Sequence, residues 1–169
     1  MVRNLDPTRL VDSVSGWFDH GAGDFSDNHH YVSPQCGTPW NDEKPGPFDP
    51  SRIGFQGEFA GLGHNVSSEH LWKVERAIEG IGETYELYQS LDRWRSRGHD
   101  LLIELLQQVQ QYSCSGAVWT GSTDVEGEVN GMVTYDRRIV RPDETWREDV
   151  KVSVSGLVAR CSRFSNMMD

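Results

Sequence analysis

The helical stretch from Thr84 to Tyr112, followed at once by the apolar run GAVWT, constrains this fold more than any other feature. Leu87, Leu91 and Trp94 fall on one helical face, and Leu101, Leu105, Val109 and Tyr112 on another. Arg97-Gly98 is the expected break between two helices. Gly116 to Thr120 then reads as a buried parallel strand, because it is apolar and directly follows a helix. Upstream, Phe25 to Val32 and Arg52 to Phe59 read as strands, and Arg9 to Val14 as a shorter one. Gln35 to Pro50 holds Pro39, Pro45, Pro47 and Pro50 with Gly37 and Gly46, a density that predicts a long loop. The order is strand, strand, strand, helix, strand, so the expected class is α/β. Beyond Pro142, Lys151 to Val158 alternates weakly and Arg160 to Asp169 reads as a frayed end.

The chain of 169 residues is enough for one ordinary domain with a core. Its net charge of -10 argues against nucleic acid and anionic membrane surfaces as partners, while neutral sugars remain compatible. No apolar run approaches a membrane span. The N-terminal MVRNLDPTRL lacks the apolar core of a signal peptide. Cys36, Cys114 and Cys161 are odd in number and widely spaced, with neither zinc spacing nor a disulfide framework. They read as free thiols, and a cytoplasmic location is favoured.

Three polar clusters sit at strand ends. In GFQGEFAGLGHN, Glu58 stands among Gly54, Gly57, Gly61 and Gly63. Small neighbours leave room for a ligand, and a carboxylate held rigidly there suits nucleophilic attack. The bland alternative is a carboxylate that caps a helix or pairs with an arginine. In SDNHHY, His29 and Tyr31 share one strand face and His30 takes the other. Tyr31 can hydrogen-bond a neighbouring carboxylate, and His29 can donate to a sugar hydroxyl. Asp27, His29 and Glu58 form a conceivable metal set without compelling spacing. In WTGSTDVEGEVNG, Trp119 could floor a sugar subsite. Asp124, Glu126 and Glu128 alternate with Val125, Gly127 and Val129, which also describes a solvated acidic turn.

DPTRLV, GDFSDNHHY, GEFAGLGHN and SGAVWTGSTDVEGEVNGMVTYDR, in that order and spacing, resemble glycoside hydrolase family 2, the beta-galactosidase, beta-mannosidase and beta-glucuronidase group. The resemblance covers about Leu5 to Pro142 and leaves residues 143–169 as a divergent or poorly ordered tail. It implies a partial (β/α)8 TIM barrel, roughly strands five to eight with their helices, and a retaining mechanism with a carbohydrate substrate. It implies Glu58 as the nucleophile, Tyr31 as the nucleophile's partner, His29 as a polar neighbour and Trp119 as an aromatic floor. Asp124, Glu126 and Asn130 match the following loop and are expected to bind substrate. No cofactor or metal is implied. A retaining enzyme needs a second carboxyl about 5–5.5 Å from the nucleophile. The family carries it in an Asn-Glu pair at strand four, and no Asn-Glu pair occurs in this sequence. The nearest, Asn41-Asp42-Glu43, lies in the Pro-rich loop. The chain is therefore expected to be a truncated part, needing a complementing N-terminal half or a second copy to cover its open edge. The alternatives are a non-catalytic sugar-binding remnant and, behind it, a metal-dependent hydrolase.

Overall fold

The computed structural model describes residues 2–13, 16, 19–35, 49, 51–83, 85–112 and 114–165. Most of the Pro-rich loop, including Asn41-Asp42-Glu43, lies outside them. The strands are β1 (Phe25–His30), β2 (Ile53–Ala60), β3 (Leu62–His64), β4 (Glu86–Tyr88) and β5 (Gly116–Thr120). The helices are α1 (Val2–Leu5), α2 (Glu75–Glu79), α3 (Leu91–Tyr112) and α4 (Glu144–Ser165), with short 3-10 turns at Ser68–His70 and Gly80–Glu83. This is a mixed α/β chain with parallel sheets. One sheet has the order β1-β2-β5 and the other pairs β3 with β4. The chain divides into two compact units: residues 1–60 with 107–119, and residues 61–106 with 120–169.

In the first unit β1 and β2 run parallel. Their starts are fixed by Arg52, which donates to Phe25 O at 3.0 Å and pairs with Asp19 and Asp49. Asp24 ties the preceding segment in, accepting from Val11 N at 2.7 Å and donating its own amide to Val11 O at 2.7 Å. These contacts hold Arg9 to Ser13 without strand pairing, so the short strand expected there does not form. Ser115 N donates to Gly54 O and seats the start of β5 beside β2. A Cβ at Gly116 would lie 2.4 Å from the Phe55 ring, so this position needs the smallest residue. Contrary to the buried strand expected, β5 is half exposed, with Val118 48% accessible. Among the described residues it is the last strand of its sheet.

The second unit has its core at Leu62, Trp94, Leu101, Leu105, Val129 and Trp146. The expected break at Gly98 is absent, and α3 is a single helix of 22 residues. Trp94, Gly98, Leu101 and Leu105 form one buried stripe. The glycine thus lies on the packed face, where its missing side chain costs helix propensity but no contact with solvent. Residues 144–165, expected to be a poorly ordered tail, form α4. Asp143 starts it by accepting from Trp146 N at 2.8 Å, and the Trp146 indole donates to Arg95 O at 3.2 Å. Cys114, in the first unit, is disulfide-bonded, which corrects the free-thiol reading. The bond also removes the support that free thiols gave to a reducing compartment.

Arg141 is fully buried in the second unit and grips Asp124 with both terminal nitrogens, at 2.7 and 2.8 Å. Asp124 also accepts from Gly131 N at 2.8 Å, and Arg141 donates to Gly131 O. Asp124→Ala should therefore lower stability by about 3–5 kcal/mol, because it strands a buried guanidinium. Pairing it with Arg141→Met should recover much of that loss. Urea midpoints of the single and double variants measure both effects.

Candidate active site

Adjacent parallel strands normally keep partner residues in step. Here the step breaks: Asn28 pairs with Gln56, but His29 pairs with Glu58. Gly57 is the extra residue, a bulge in β2. Regular alternation from Phe55 would turn Glu58 to the face of Gln56. The bulge turns it instead to the face of Asp27, His29 and Tyr31.

On that face the Tyr31 hydroxyl donates to Glu58 Oε2. His29 lies beneath, with Nδ1 3.7 Å from Glu58 Oε2 and Nε2 3.9 Å from Asp27 Oδ2. Its ring meets the Tyr31 ring edge-on at 6.2 Å. Gly16, at φ +65°, lies against the other side of the imidazole, where a Cβ would come within 1.8 Å. Burial drives the His29 pKa down, against the opposing pull of Glu58 and Asp12. Asp27 is buried and accepts from Gly57 N at 2.6 Å. Burial first, and then the charge of Asp12, push its pKa up to about 7. On the opposite face, buried Gln56 donates to Asn28 O and Glu58 O, each at 2.8 Å, and accepts from Gln35 N at 2.9 Å.

A cleft of about 390 Å³ opens over this face, lined by Asp12, Ser13, Asp27, His29, Phe55, Gly57 and Glu58. The Glu58 side chain is 36% accessible in it. Among the described residues its Oε2 is held by Tyr31, while Oε1 takes no hydrogen bond. One oxygen is anchored and the other faces the cleft, an arrangement suited to attack on an electrophilic carbon.

The structure thus brings together Glu58, Tyr31 and His29. His29 is buried against the Tyr31 ring and Gly16, and it lines the cleft beside Glu58. Trp119 packs edge-on against Phe59 at 5.3 Å and is not among the described residues lining the cleft. Asp124, Glu126 and Asn130 belong to the second unit. There Asp124 is engaged by Arg141, Asn130 is buried and donates to Glu128 at 3.2 Å, and Glu126 is exposed on a turn at φ 55°. Among the described residues, no group of three or more His, Cys, Asp or Glu side chains is placed to hold a metal ion. Asp27, His29 and Glu58 are accordingly not a ligand set, which corrects the metal reading of that cluster. Sequence reasoning missed Gln56, Gly16 and Asp12. It also missed that Asp27 bonds the backbone beside Glu58.

No family model matches the chain, and neither does any curated protein. Among the described residues, no helix is long and apolar enough to cross a membrane.

Asp27 gives the site a pH signature. The folded protein holds this proton more tightly than an unfolded chain with the ordinary value of 3.8. Its contribution to stability is full below that value and is lost as pH rises through about 7. Stability of the wild type should fall more between about pH 5 and about pH 8 than that of Asp27→Asn, which cannot ionise. Urea midpoints at the two pH values provide the comparison.

Proposed function

We propose that this chain carries the nucleophile side of a retaining glycoside hydrolase of the family 2 type, acting on beta-linked galactosides or related sugars. The observation that carries this reading is the hydrogen bond from Tyr31, just past β1, to Glu58 of the adjacent parallel strand β2, a carboxylate that lines an open cleft. It joins two motifs, SDNHHY and GEFAG, that lie far apart in sequence. In the proposed fold the β1-β2-β5 sheet is part of the second half of a (β/α)8 barrel, whose chemistry lies at the C-terminal strand ends. Glu58 and Tyr31 stand towards that end of their strands.

In the proposed reaction Glu58 Oε1 attacks the anomeric carbon. A carbon–oxygen bond forms to the carboxylate as the glycosidic bond breaks, and the departing oxygen takes a proton from a second carboxyl. Water, giving up a proton to that second carboxylate, then attacks the same carbon as its bond to Glu58 breaks. The second carboxyl is the element that this sequence does not supply in its usual Asn-Glu form, so a complementing half or another chain would provide it. A fluoride leaving group needs no such proton.

The test is incubation with 2-deoxy-2-fluoro-β-glycosyl fluorides of galactose, mannose and glucuronic acid, followed by intact mass and peptide mapping. Labelling of Glu58 by at least one sugar is expected. Glu58→Gln should abolish the label, and Tyr31→Phe should slow it roughly ten- to hundredfold, the worth of a hydrogen bond to a charged group. A chelator should change nothing. Sugar binding that survives in Glu58→Gln, with no label in the wild type, would favour the non-catalytic sugar-binding alternative and overturn the enzyme reading.

A further inference from the structure

A carboxylate aimed by a bulge is only as well placed as the bulge. An extra residue leaves backbone groups out of the regular ladder, and these need partners. Here they have them on both faces. Asp27 Oδ1 takes the Gly57 amide from the cleft side at 2.6 Å. From the other side the Gln56 amide nitrogen bridges Asn28 O and Glu58 O, the carbonyls flanking the irregularity. Both side chains are buried, with Asp27 4% and Gln56 0% accessible. The carboxyl of Asp27 fits only because residue 57 has no side chain, since a Cβ there would lie 2.3 Å from Asp27 Oδ1.

We infer that Asp27 and Gln56 are positioning residues that grip the Gly57 bulge from opposite faces and thereby aim Glu58 into the cleft beside Tyr31. The consequence for reactivity rests on the proposed function; the grip itself does not. Neither residue touches the sugar in this scheme. Asp27 acts through the Gly57 backbone and Gln56 through the Glu58 carbonyl. Loss of either lets the Glu58 side chain drift, and a displacement of about 1 Å costs on the order of a hundredfold in rate.

The experiment uses the full chain and two readouts. The first is hydrogen exchange of the Gly57 amide by NMR. The second is labelling kinetics with the 2-fluoro glycosyl fluoride that works best on the wild type, resolved into probe affinity and bond-forming rate. Asp27→Leu keeps much of the side-chain shape but accepts no hydrogen bond. It should speed Gly57 exchange and cut the bond-forming rate by about a hundredfold, with probe affinity little changed. Asp27→Asn retains an acceptor and should restore both readouts. Gln56→Met should cut the bond-forming rate with Asp27 intact. Wild-type exchange and rate in Asp27→Leu, or an Asp27→Asn variant as impaired as Asp27→Leu, would overturn the inference. If Asp27→Leu does not fold, Gln56→Met decides: a wild-type rate overturns the grip and a lowered rate with unchanged affinity supports it. If the wild type takes no label from any of the sugars, the proposed function fails. The exchange arm then stands alone, with faster exchange in the leucine variant and rescue in the asparagine variant supporting the grip, and no difference overturning it.

Discussion

The slipped register between β1 and β2 is the constraint on which the site depends. Two parallel strands in step would leave Asp27, His29 and Tyr31 facing Gly57 rather than Glu58. One additional residue converts that pairing into a face carrying three carboxyl groups' worth of chemistry around an imidazole and a phenol: Asp12, Asp27 and Glu58 with His29 and Tyr31. The energetic demand of the slip is local, because each displaced backbone group is met by a side chain a few ångströms away. The rest of the unit keeps the two strands where the slip can act. Arg52 and Asp24 fix their starts, and Phe25 and Phe55 pack edge-on at 5.6 Å behind them.

The second unit is organised by a different principle. Its centre is an ion pair, Asp124 with Arg141, in an interior otherwise filled by Leu62, Trp94, Val129 and Trp146. Charges survive there because both terminal guanidinium nitrogens meet the carboxylate, a bidentate pairing that suits a buried charge best. Asp124 thus latches its loop to Arg141 and Gly131. Asp124 faces inward to Arg141, and the acidic residues that follow it, Glu126 and Glu128, remain in solvent.

Much of the site was legible in the sequence, and for a physical reason. Tyr31 and Glu58 occupy strand ends in glycine-poor and glycine-rich surroundings that point to different jobs, and neighbouring strands bring the two within one register step of each other. The bulge was not legible. Alternation has a period of two, and a single inserted residue reverses every later assignment without changing composition. The roles of Gln56 and Asp27 follow from the bulge, so they were hidden with it. Gly98 misled for the opposite reason: a residue that breaks isolated helices is tolerated when its position is packed, and packing is a tertiary fact. The α4 tail was missed because its start depends on Asp143 and a buried Trp146, which outweigh a weak periodicity further along. The Cys114 disulfide was out of reach because spacing does not say which thiols approach each other.

Gly16 and His29 show how this geometry would channel change over generations. Residue 16 is confined to glycine twice over, by a positive φ and by an imidazole where its Cβ would be. Residue 29 faces only the second of these conditions. A smaller side chain at position 29 would lift the steric conflict and leave the milder one, a positive φ of the kind that Ala60, Glu126 and Arg137 adopt elsewhere in this chain. Drift at this contact therefore has an order: the histidine can be lost while the glycine stays, whereas a larger residue at position 16 has room only after position 29 has shrunk.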